Sequence, residues 1–236
     1  MKTPFVSVIV PVLNDAEQLE SLLSAFQFSN DVELIVVNGG IPDQAMSNLR
    51  VRFPSVHWME GPQGRGQQMN QGSKQAKGQW LLFLHADSRL SPHWIEEVRR
   101  AQAEENCVAG SFRLHLDSTA LLARVVEWGV ALRVRWLGLP YGDQALFVRH
   151  DVFKVLGGYR PWPLMEDVDL VKRLRLRGRL MRSNLSLSVS ARRWERNGWL
   201  QCSLENMFLV MLFMVGVTPE RLASFYYRGT SHKSLR

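Results

Sequence analysis

The stretch Phe5-Val6-Ser7-Val8-Ile9-Val10-Pro11-Val12 decides the fold of this chain. It is almost entirely apolar and rich in residues branched at Cβ, which favour extended backbone. A continuous apolar run of this length predicts a strand that is buried on both faces. Such strands are typical of parallel sheets that carry helices on both sides.

The residues around this strand alternate between predicted strands and predicted helices. Further strands are expected at residues 32–37, 56–59 and 80–84. Asn14, followed by Glu17 as in a capping box, predicts one helix start, and Ser91-Pro92 predicts another. This alternation predicts an α/β, three-layer fold with a mostly parallel central sheet. Ligands of such sheets bind beyond the carboxyl ends of the strands, so the segments after each strand are the candidate site.

The second half of the chain is less regular. Strands are expected at residues 108–116, 144–148 and 185–189, and helices at 121–136, 167–176 and the last forty-odd residues. No linker composition divides the chain, so we predict one domain over residues 1–236, with two halves that meet near residue 106.

The charge and the cysteines indicate partners and compartment. A formal net charge of +7 favours anionic partners, although good solubility alone would also account for it. The chain has no RNA-binding aromatic motif, zinc-finger spacing or basic low-complexity tail, so we expect no nucleic-acid partner. Cys107 and Cys202 lie far apart, and the N-terminal segment lacks a signal-peptide pattern. We therefore expect a cytoplasmic protein.

Three segments carry candidate chemistry. His85-Ala86-Asp87 follows a predicted buried strand, where a carboxylate can hold Mg²⁺ or Mn²⁺ against a diphosphate; an aspartate that satisfies a turn is the alternative. Glu166-Asp167 begins a predicted helix and offers a general base, or only a favourable charge at the helix N-terminus.

The third segment is Gly64-Arg65-Gly66. Its glycines permit close approach of the backbone, and its arginine can pair with a phosphate, although a plain loop-to-helix turn explains the glycines equally well. It lacks the lysine that would end a Walker loop. Separately, Trp162 lies between two prolines in a stiff loop that could exclude water or stack on a sugar ring, and Met69 is expected to pack in the core.

Taken in chain order, these segments resemble the inverting family 2 glycosyltransferases, which have the GT-A (Rossmann-like) fold. The resemblance rests on residues 6–11, 33–40, 85–87 and 166–167. Residues 64–70, 82–87 and 141–144 look like a narrower bacterial group, the radical-SAM/selenodomain-associated transferase 2 family. The similarity extends over nearly the whole chain, to about residue 222.

The resemblance implies an enzyme that moves a sugar from a nucleoside-diphosphate sugar, with UDP expected as the nucleotide, to an acceptor hydroxyl of unknown identity. Residues 1–106 would bind the donor, and residues 107–236 would bind the acceptor. Asp87 matches the ligand of a divalent metal, Mn²⁺ or Mg²⁺, and Asp167 matches the catalytic base, with Glu166 beside it. The other expected substrate contacts are Pro11, Asn14, Asn38, Gly39, Arg65, Gln68, Asn70, His85, Asp143, Gln144, Trp162, Arg193 and Trp194.

The chain departs from the family pattern at Asn38, His85 and Ser190. Asn38 stands where most members have an aspartate that contacts uracil or ribose, which leaves the base preference open. His85 occupies the first place of the Asp-x-Asp motif, where it could contact ribose or metal. Arg193-Trp194 is similar to the Arg-Trp of processive members, but Ser190 replaces the usual glutamine, so no processivity is inferred.

Two other functions remain open from the sequence. A nucleotidyltransferase would also place a Gly-Arg loop near phosphates, and it would release pyrophosphate instead of a nucleoside diphosphate. A protein that binds nucleotide-sugars without catalysis is favoured by Asn38 and His85, and it would show tight binding without turnover.

The apolar run at residues 207–217 is too short to span a bilayer. It has no charged residue, whereas an interfacial helix would keep a polar face, so we expect it to pack against protein, within the domain or across a homodimer. Arginines at 192, 193, 196, 221 and 228 flank it. Any membrane contact is expected to be peripheral, at the inner face of the membrane, and weakened by salt.

Overall fold

A computed structural model describes residues 3–41 and 43–231 of the chain. Within these residues there are eight strands and ten α-helices. The strands are β1 (Val6–Val12), β2 (Val32–Asn38), β3 (His57–Glu60), β4 (Trp80–Phe83), β5 (Ser88–Leu90), β6 (Cys107–Asp117), β7 (Phe147–Arg149) and β8 (Arg179–Ser190). The helices are α1 (Ala16–Ala25), α2 (Gln44–Arg52), α3 (Arg65–Gln75), α4 (Trp94–Ala103), α5 (Leu121–Leu137), α6 (His150–Val155), α7 (Glu166–Arg175), α8 (Arg192–Asn197), α9 (Trp199–Met214) and α10 (Pro219–Ser231).

All described strands join one sheet in the order β3-β2-β1-β4-β7-β6-β8-β5. Strands β3, β2, β1 and β4 are parallel, and so are β6 and β8. Strand β7 is antiparallel to both of its neighbours, and β5 is antiparallel to β8. The predicted α/β fold with a mostly parallel sheet is confirmed, and β7 joins the four parallel strands β3, β2, β1 and β4 to the rest.

Strand β1 shows why the sheet is covered on both faces. Ile9 is fully buried on one side, in a cluster with Met69 of α3. Its neighbours Val8 and Val10 are fully buried on the other side, with Leu19 of α1. Because successive side chains of a strand point to opposite faces, only a run that is apolar at every position can be buried in this way.

Both predicted helix caps are wrong. Helix α1 begins after Asp15, and no side-chain hydrogen bond caps it. Asn14 instead has a left-handed φ of 51°. Helix α4 begins after His93, and the Ser91 hydroxyl donates to the carbonyl of Ser186 in β8. In this second case a long-range hydrogen bond takes the side chain that the local pattern assigns to a cap.

The strand predicted at residues 144–148 is also shifted. Residues Gly142–Gln144 form a 3₁₀ turn, and the strand itself is Phe147–Arg149. The side chain of Gln144 closes this turn by accepting from the N–H of Tyr141. This contact between neighbouring residues keeps the segment from extending.

The C-terminal apolar run occupies the second half of α9, but the domain covers only one side of it. Leu209 is buried, whereas Met207, Phe208 and Met211 are each more than half exposed. The domain therefore buries only one side of the run, and packing of the exposed side across a homodimer stays a prediction. The side chain of Arg228 lies outside the described residues. Among the residues that the structure describes, no helix combines the length and apolar character needed to cross a bilayer.

Candidate active site

A cleft of about 740 Å³ opens beyond the carboxyl ends of β1 and β4. The starts of α3 and α7 form one wall, and α10 contributes to the rim. The predicted site residues that line it are Pro11, Arg65, Gln68, His85, Asp87, Trp162 and Glu166. They come from four separate segments, which the parallel sheet brings to one edge because its strands end side by side.

An arginine and two acids meet at the start of α7, where Arg65 and Glu166 line the cleft and Asp167 lies next to them, outside its lining. Arg65 donates through Nε to Glu166 Oε1 at 2.7 Å, and its Nη2 lies 2.6 Å from the same oxygen. The Arg65 Nη2 to Asp167 Oδ2 distance is longer, at 3.8 Å. Glu166 therefore fixes the guanidinium, and Asp167 makes the looser contact. The side chain of Asp167 is 12% exposed, against 3% for that of Glu166.

Two backbone features hold these acids in place. Met165, directly before them, has a left-handed φ of 66°, a conformation that costs free energy for a non-glycine residue and is concentrated at functional sites. The N–H of Gly142 donates to Asp167 Oδ2 at 2.6 Å. A Cβ at Gly66 would lie 3.0 Å from Glu166 Cγ, so the close contact of α3 with α7 depends on this glycine.

His85 is held neutral. Burial, together with the nearby Arg65 guanidinium, lowers the pKa of His85 to about 3, even though the negative charge of Asp167 opposes this shift. An imidazole that stays neutral can donate one hydrogen bond and accept another, but it adds no charge to the cleft. This state suits contact with a ribose hydroxyl or a metal better than contact with a phosphate.

Asp87 carries a carboxylate without a close cationic partner among the described residues. Burial raises the pKa of Asp87, and the negative charge of Asp15 adds to the increase, whereas Arg192 and the Ser88 hydroxyl act against it. A cation between Asp87 and Asp15 would offset this repulsion. Within residues 3–41 and 43–231, no group of three or more His, Cys, Asp or Glu side chains is placed to hold a metal ion.

Several residues predicted to contact substrate form hydrogen bonds or close contacts within the protein, around the cleft. The Gln68 amide donates to the carbonyls of Val12 and Val37, at 2.8 Å each, and so joins the ends of β1 and β2. Asn38 is buried; its oxygen accepts from the N–H of Gly40, and its nitrogen donates to Glu60. Gly39 lies so close to Gln68 that a Cβ there would approach its amide carbon to 2.8 Å.

Other predicted contacts lie outside the cleft lining. The Asn70 side chain binds the backbone N–H and carbonyl of Tyr159, which anchors the loop before α7. Gln144 is buried and donates to the carbonyl of Phe112 in β6. Asn14 is exposed, and its side chain oxygen lies against Gly40. In the structure these three residues shape the loops, and none of them lines the cleft.

A second polar group lies outside the cleft lining. Burial raises the pKa of Asp143, whereas Arg133 acts to lower it, and its Oδ1 is buried without a hydrogen-bond partner. Arg193 donates to Asn206 and lies 5.4 Å from the ring of Tyr226, which lines the cleft. Trp194 is buried in the core, where its indole N–H has no partner, so it lies away from the cleft lining.

Some residues that line the cleft were not predicted: Leu13, Asp15, Gln63, Gln67, Tyr226 and Tyr227. Asp15 follows β1 as closely as Asn14 does, so the rule that strand ends carry ligands could have found it. The two tyrosines come from α10, far along the chain, and no local pattern indicates them.

Comparison with known proteins identifies the family. Residues 7–159 match the glycosyl transferase family 2 domain. The chain belongs to glycosyl transferase family 2. The family predicted from the motifs is thus confirmed, whereas the narrower radical-SAM-associated group stays a prediction.

Named relatives of this family member are bacterial. A PGL/p-HBAD biosynthesis glycosyltransferase of Mycobacterium bovis is 30% identical over 175 residues, which cover 67% of this chain and 64% of that protein. The chain therefore spans a little under two thirds of the length of that relative. An uncharacterized glycosyltransferase of Haemophilus influenzae is 33% identical over 95 residues, 39% of this chain and 32% of the relative.

The fold is that of GT-A glycosyltransferases. Staphylococcus aureus TarS, residues 1–349, in complex with UDP-GlcNAc matches with a TM-score of 0.60 at 15% identity, over 79% of this chain and 58% of that one. The UDP complex of the same TarS fragment matches with a TM-score of 0.57 at 15% identity, over 92% of this chain and 68% of that one. At this identity the likeness shows the fold alone.

Proposed function

We propose that this family 2 protein is an inverting, metal-dependent transferase that moves a sugar from a nucleoside-diphosphate sugar to an acceptor hydroxyl. The observation that carries the proposal is the convergence of Arg65, His85, Asp87 and Glu166 on one cleft beyond the ends of β1 and β4. UDP is the proposed nucleotide, because TarS with the same fold is described in complex with UDP-GlcNAc and with UDP.

The donor diphosphate is proposed to lie between Arg65 and Asp87. Arg65 can turn a guanidinium N–H toward a phosphate oxygen while Glu166 holds its other edge. Neutral His85 would contact the ribose. Residues 1–106 supply most of this donor side, whereas residues 107–236 supply the α7 acids and the acceptor side.

The residues present fit a divalent cation that arrives with the donor. Mg²⁺ typically takes one or two carboxylates plus substrate phosphates, so a site built from Asp87, with Asp15 nearby, needs no cluster of three protein ligands. When bound, Mn²⁺ or Mg²⁺ would offset the charge that develops on the leaving diphosphate.

Asp167 is the proposed general base. Its carboxylate would take the proton of the acceptor hydroxyl as that oxygen bonds to the anomeric carbon of the sugar. The bond from the anomeric carbon to the phosphate oxygen breaks, and its electron pair leaves with the nucleoside diphosphate. Asp169 is not suited to this role, because it pairs with Arg173 at 2.7 Å and with Arg160 at 3.4 Å.

The acceptor side of the cleft includes Trp162 and Tyr226. The Trp162 ring packs edge-on against Phe213 of α9 at 6.0 Å and lies under the Arg160 guanidinium at 4.9 Å. A ring fixed in this way can stack on a sugar or exclude water at little entropic cost. Asp143 lies outside the cleft lining, and its Oδ1 is buried with no hydrogen-bond partner among the described residues.

The test is incubation of the protein with Mn²⁺ and a panel of nucleotide-sugars, followed by analysis of the released nucleotide. Release of a nucleoside diphosphate, by transfer or by slow hydrolysis, supports the proposal. Release of pyrophosphate on incubation with a sugar phosphate and a nucleoside triphosphate would indicate a nucleotidyltransferase. Tight binding without any release would indicate a binding protein, the function that Asn38 and the neutral His85 favour.

A further inference from the structure

Helix α5 exposes a continuous apolar stripe along its whole length. Leu121, Val125, Trp128, Leu132 and Trp136 recur at intervals of three or four residues, so they lie on one side of the helix. All five are exposed, and the two tryptophans are 67% and 75% exposed. Exposed tryptophans are costly in water, and a row of large apolar side chains of this length indicates a surface that is covered in use.

Helix α9 carries a second stripe of the same kind. Leu200, Leu204, Met207, Phe208 and Met211 share one side of the helix and are all more than half exposed. The opposite side packs on the domain through Cys202 and Leu209. Helices α5 and α9 contact each other, and we call their two stripes together the apolar face.

A basic pocket adjoins the apolar face at the end of α5. It has a volume of about 310 Å³, and Trp136 of the stripe is one of its walls. Its charged lining residues are Arg135, Arg175, Arg179 and Arg182. Among the described residues no carboxylate lines the pocket, and Glu104, outside the lining, lies 3.8 Å from Arg179. Helix α7, which supplies Arg175, also borders the end of α9. Lys172 of α7 lies 5.6 Å from the ring of Phe213 in α9.

We propose that the apolar face docks on an anionic lipid bilayer, with the arginine pocket binding lipid phosphate groups. The pairing of exposed tryptophan, phenylalanine and leucine with adjacent arginines is the composition that lipid interfaces select. The lack of a polar face on α9 does not oppose this arrangement, because the domain itself covers the other side of the helix. A two-fold dimer through this face is the alternative. In that dimer, the pocket lining of one copy would supply no carboxylate to the arginines of the other.

The face lies beside the proposed active site, and this part of the inference rests on the proposed function. Helix α10 packs on α9, and its Tyr226 and Tyr227 line the donor cleft. Trp162, also in that lining, contacts Phe213 of α9. A bilayer on the apolar face would therefore present the hydroxyl of an amphiphilic acceptor, anchored by its lipid tail, near the mouth of the cleft.

The test is flotation with phosphatidylcholine vesicles, with and without about 30 mol% phosphatidylglycerol, at low and high salt. We expect the protein to float with the anionic vesicles and binding to weaken in high salt. Trp128→Gln with Phe208→Gln should reduce the bound fraction about tenfold or more, and Arg179→Gln with Arg182→Gln should reduce it similarly, since each basic residue near the surface favours binding several-fold.

Matched controls separate the face from general surface effects. Val51→Gln with Val155→Gln removes two exposed apolar side chains on α2 and α6, and Lys74→Gln with Lys154→Gln removes two charges on α3 and α6. These four substitutions should leave vesicle binding within about twofold of the wild type, as expected for sites outside the contact.

Binding of UDP, measured on all variants, checks that they fold and tests the proposed function separately. If the wild type fails to bind UDP but floats with vesicles, the donor proposal fails while the docking surface stands. If the wild type does not float, or the face variants float as well as it does, the docking proposal is overturned. It is also overturned if sedimentation shows a wild-type dimer that the face variants convert to monomers.

Discussion

At the scale of single residues, the neutrality of His85 has a measurable consequence for stability. Its pKa in the folded protein is about 3, against 6.5 in an unfolded chain. Above about pH 7 the ring is neutral in both states and has no effect. Below that, the unfolded chain binds a proton that the folded protein does not, so the free energy of unfolding falls as the pH falls.

We therefore predict that His85→Asn loses less stability than the wild type between about pH 7 and about pH 5, by up to about 2 kcal/mol. Urea unfolding at the two pH values measures this difference. Equal losses in both proteins would mean that His85 titrates normally in the folded state, and the account of a buried, neutral ring would then be wrong.

The two acids at the start of α7 should behave differently when each is made neutral. Asp167→Asn keeps an oxygen that can accept from the Gly142 N–H, so donor binding should stay nearly intact. Turnover should fall by about two to four orders of magnitude, the reach of a general base. Steady-state kinetics together with donor titration separates the two effects.

Glu166→Gln is the comparison variant, because it removes the charge that fixes Arg65 and should weaken donor binding. Normal turnover in Asp167→Asn would move the base to Glu166. Unfolding of Asp167→Asn would show instead that this side chain mainly holds the loop at Gly142.

The structure places the predicted residues that follow strands in one cleft, whereas the predicted amides use their side chains to bind the backbone. Arg65, His85 and Asp87 line the cleft because strand ends converge at one edge of a parallel sheet. Gln68 and Asn70 occur in the same motif, yet their amides bind backbone groups 56 and 89 residues away. Such partners depend on the tertiary fold. Residue type alone does not distinguish an amide that binds the protein backbone from one that contacts a ligand.

At the scale of elements, the contact between α3 and α7 sets the geometry of the cleft. Gly66→Ala adds a methyl group 3.0 Å from Glu166 Cγ, which should push this acid and Arg65 apart. We predict a drop in turnover of about tenfold or more, on the scale of small misplacements in active sites. The change in the free energy of unfolding should be small, since alanine also favours the helix.

Gly129→Ala in α5 is the matched control for this change. A Cβ there meets no atom within 4 Å, so the substitution should stabilise the helix by about 0.5–1 kcal/mol without reducing turnover. Thermal unfolding and a donor-hydrolysis assay on both variants provide the comparison. If Gly66→Ala were as active as Gly129→Ala, the close contact would have no role in the site.

Strands and helices could be predicted where a periodic apolar pattern was long. The residues at which they begin and end were predicted less well. Strand β1 and helix α5 lie within one residue of the predicted bounds. The starts of α1 and α4 were misplaced because cap propensity is weak beside competing contacts: Ser91 binds β8, and Asn14 lies in a left-handed turn against Gly40. A side chain that binds a residue distant in sequence does not form the helix cap that the local pattern predicts.

At the scale of the whole molecule, α9 and α10 connect the cleft with the apolar face. The sequence identified the apolar run and predicted that it packs against protein, within the domain or across a homodimer, because a helix that is apolar all round is usually buried. The structure shows that one side of α9 satisfies this rule and the other does not. Which side a domain covers depends on packing that the sequence pattern of one helix does not contain.

The central claim is that the cleft binds a nucleoside diphosphate through a metal held at Asp87. Calorimetric titration with UDP, with and without Mn²⁺, tests it most directly in the wild type, in Asp87→Ala and in the surface control Asp151→Ala. We predict that Mn²⁺ strengthens UDP binding in the wild type and the control, and that Asp87→Ala loses this metal-dependent gain. Equally tight, metal-dependent binding of UDP by Asp87→Ala would contradict the account.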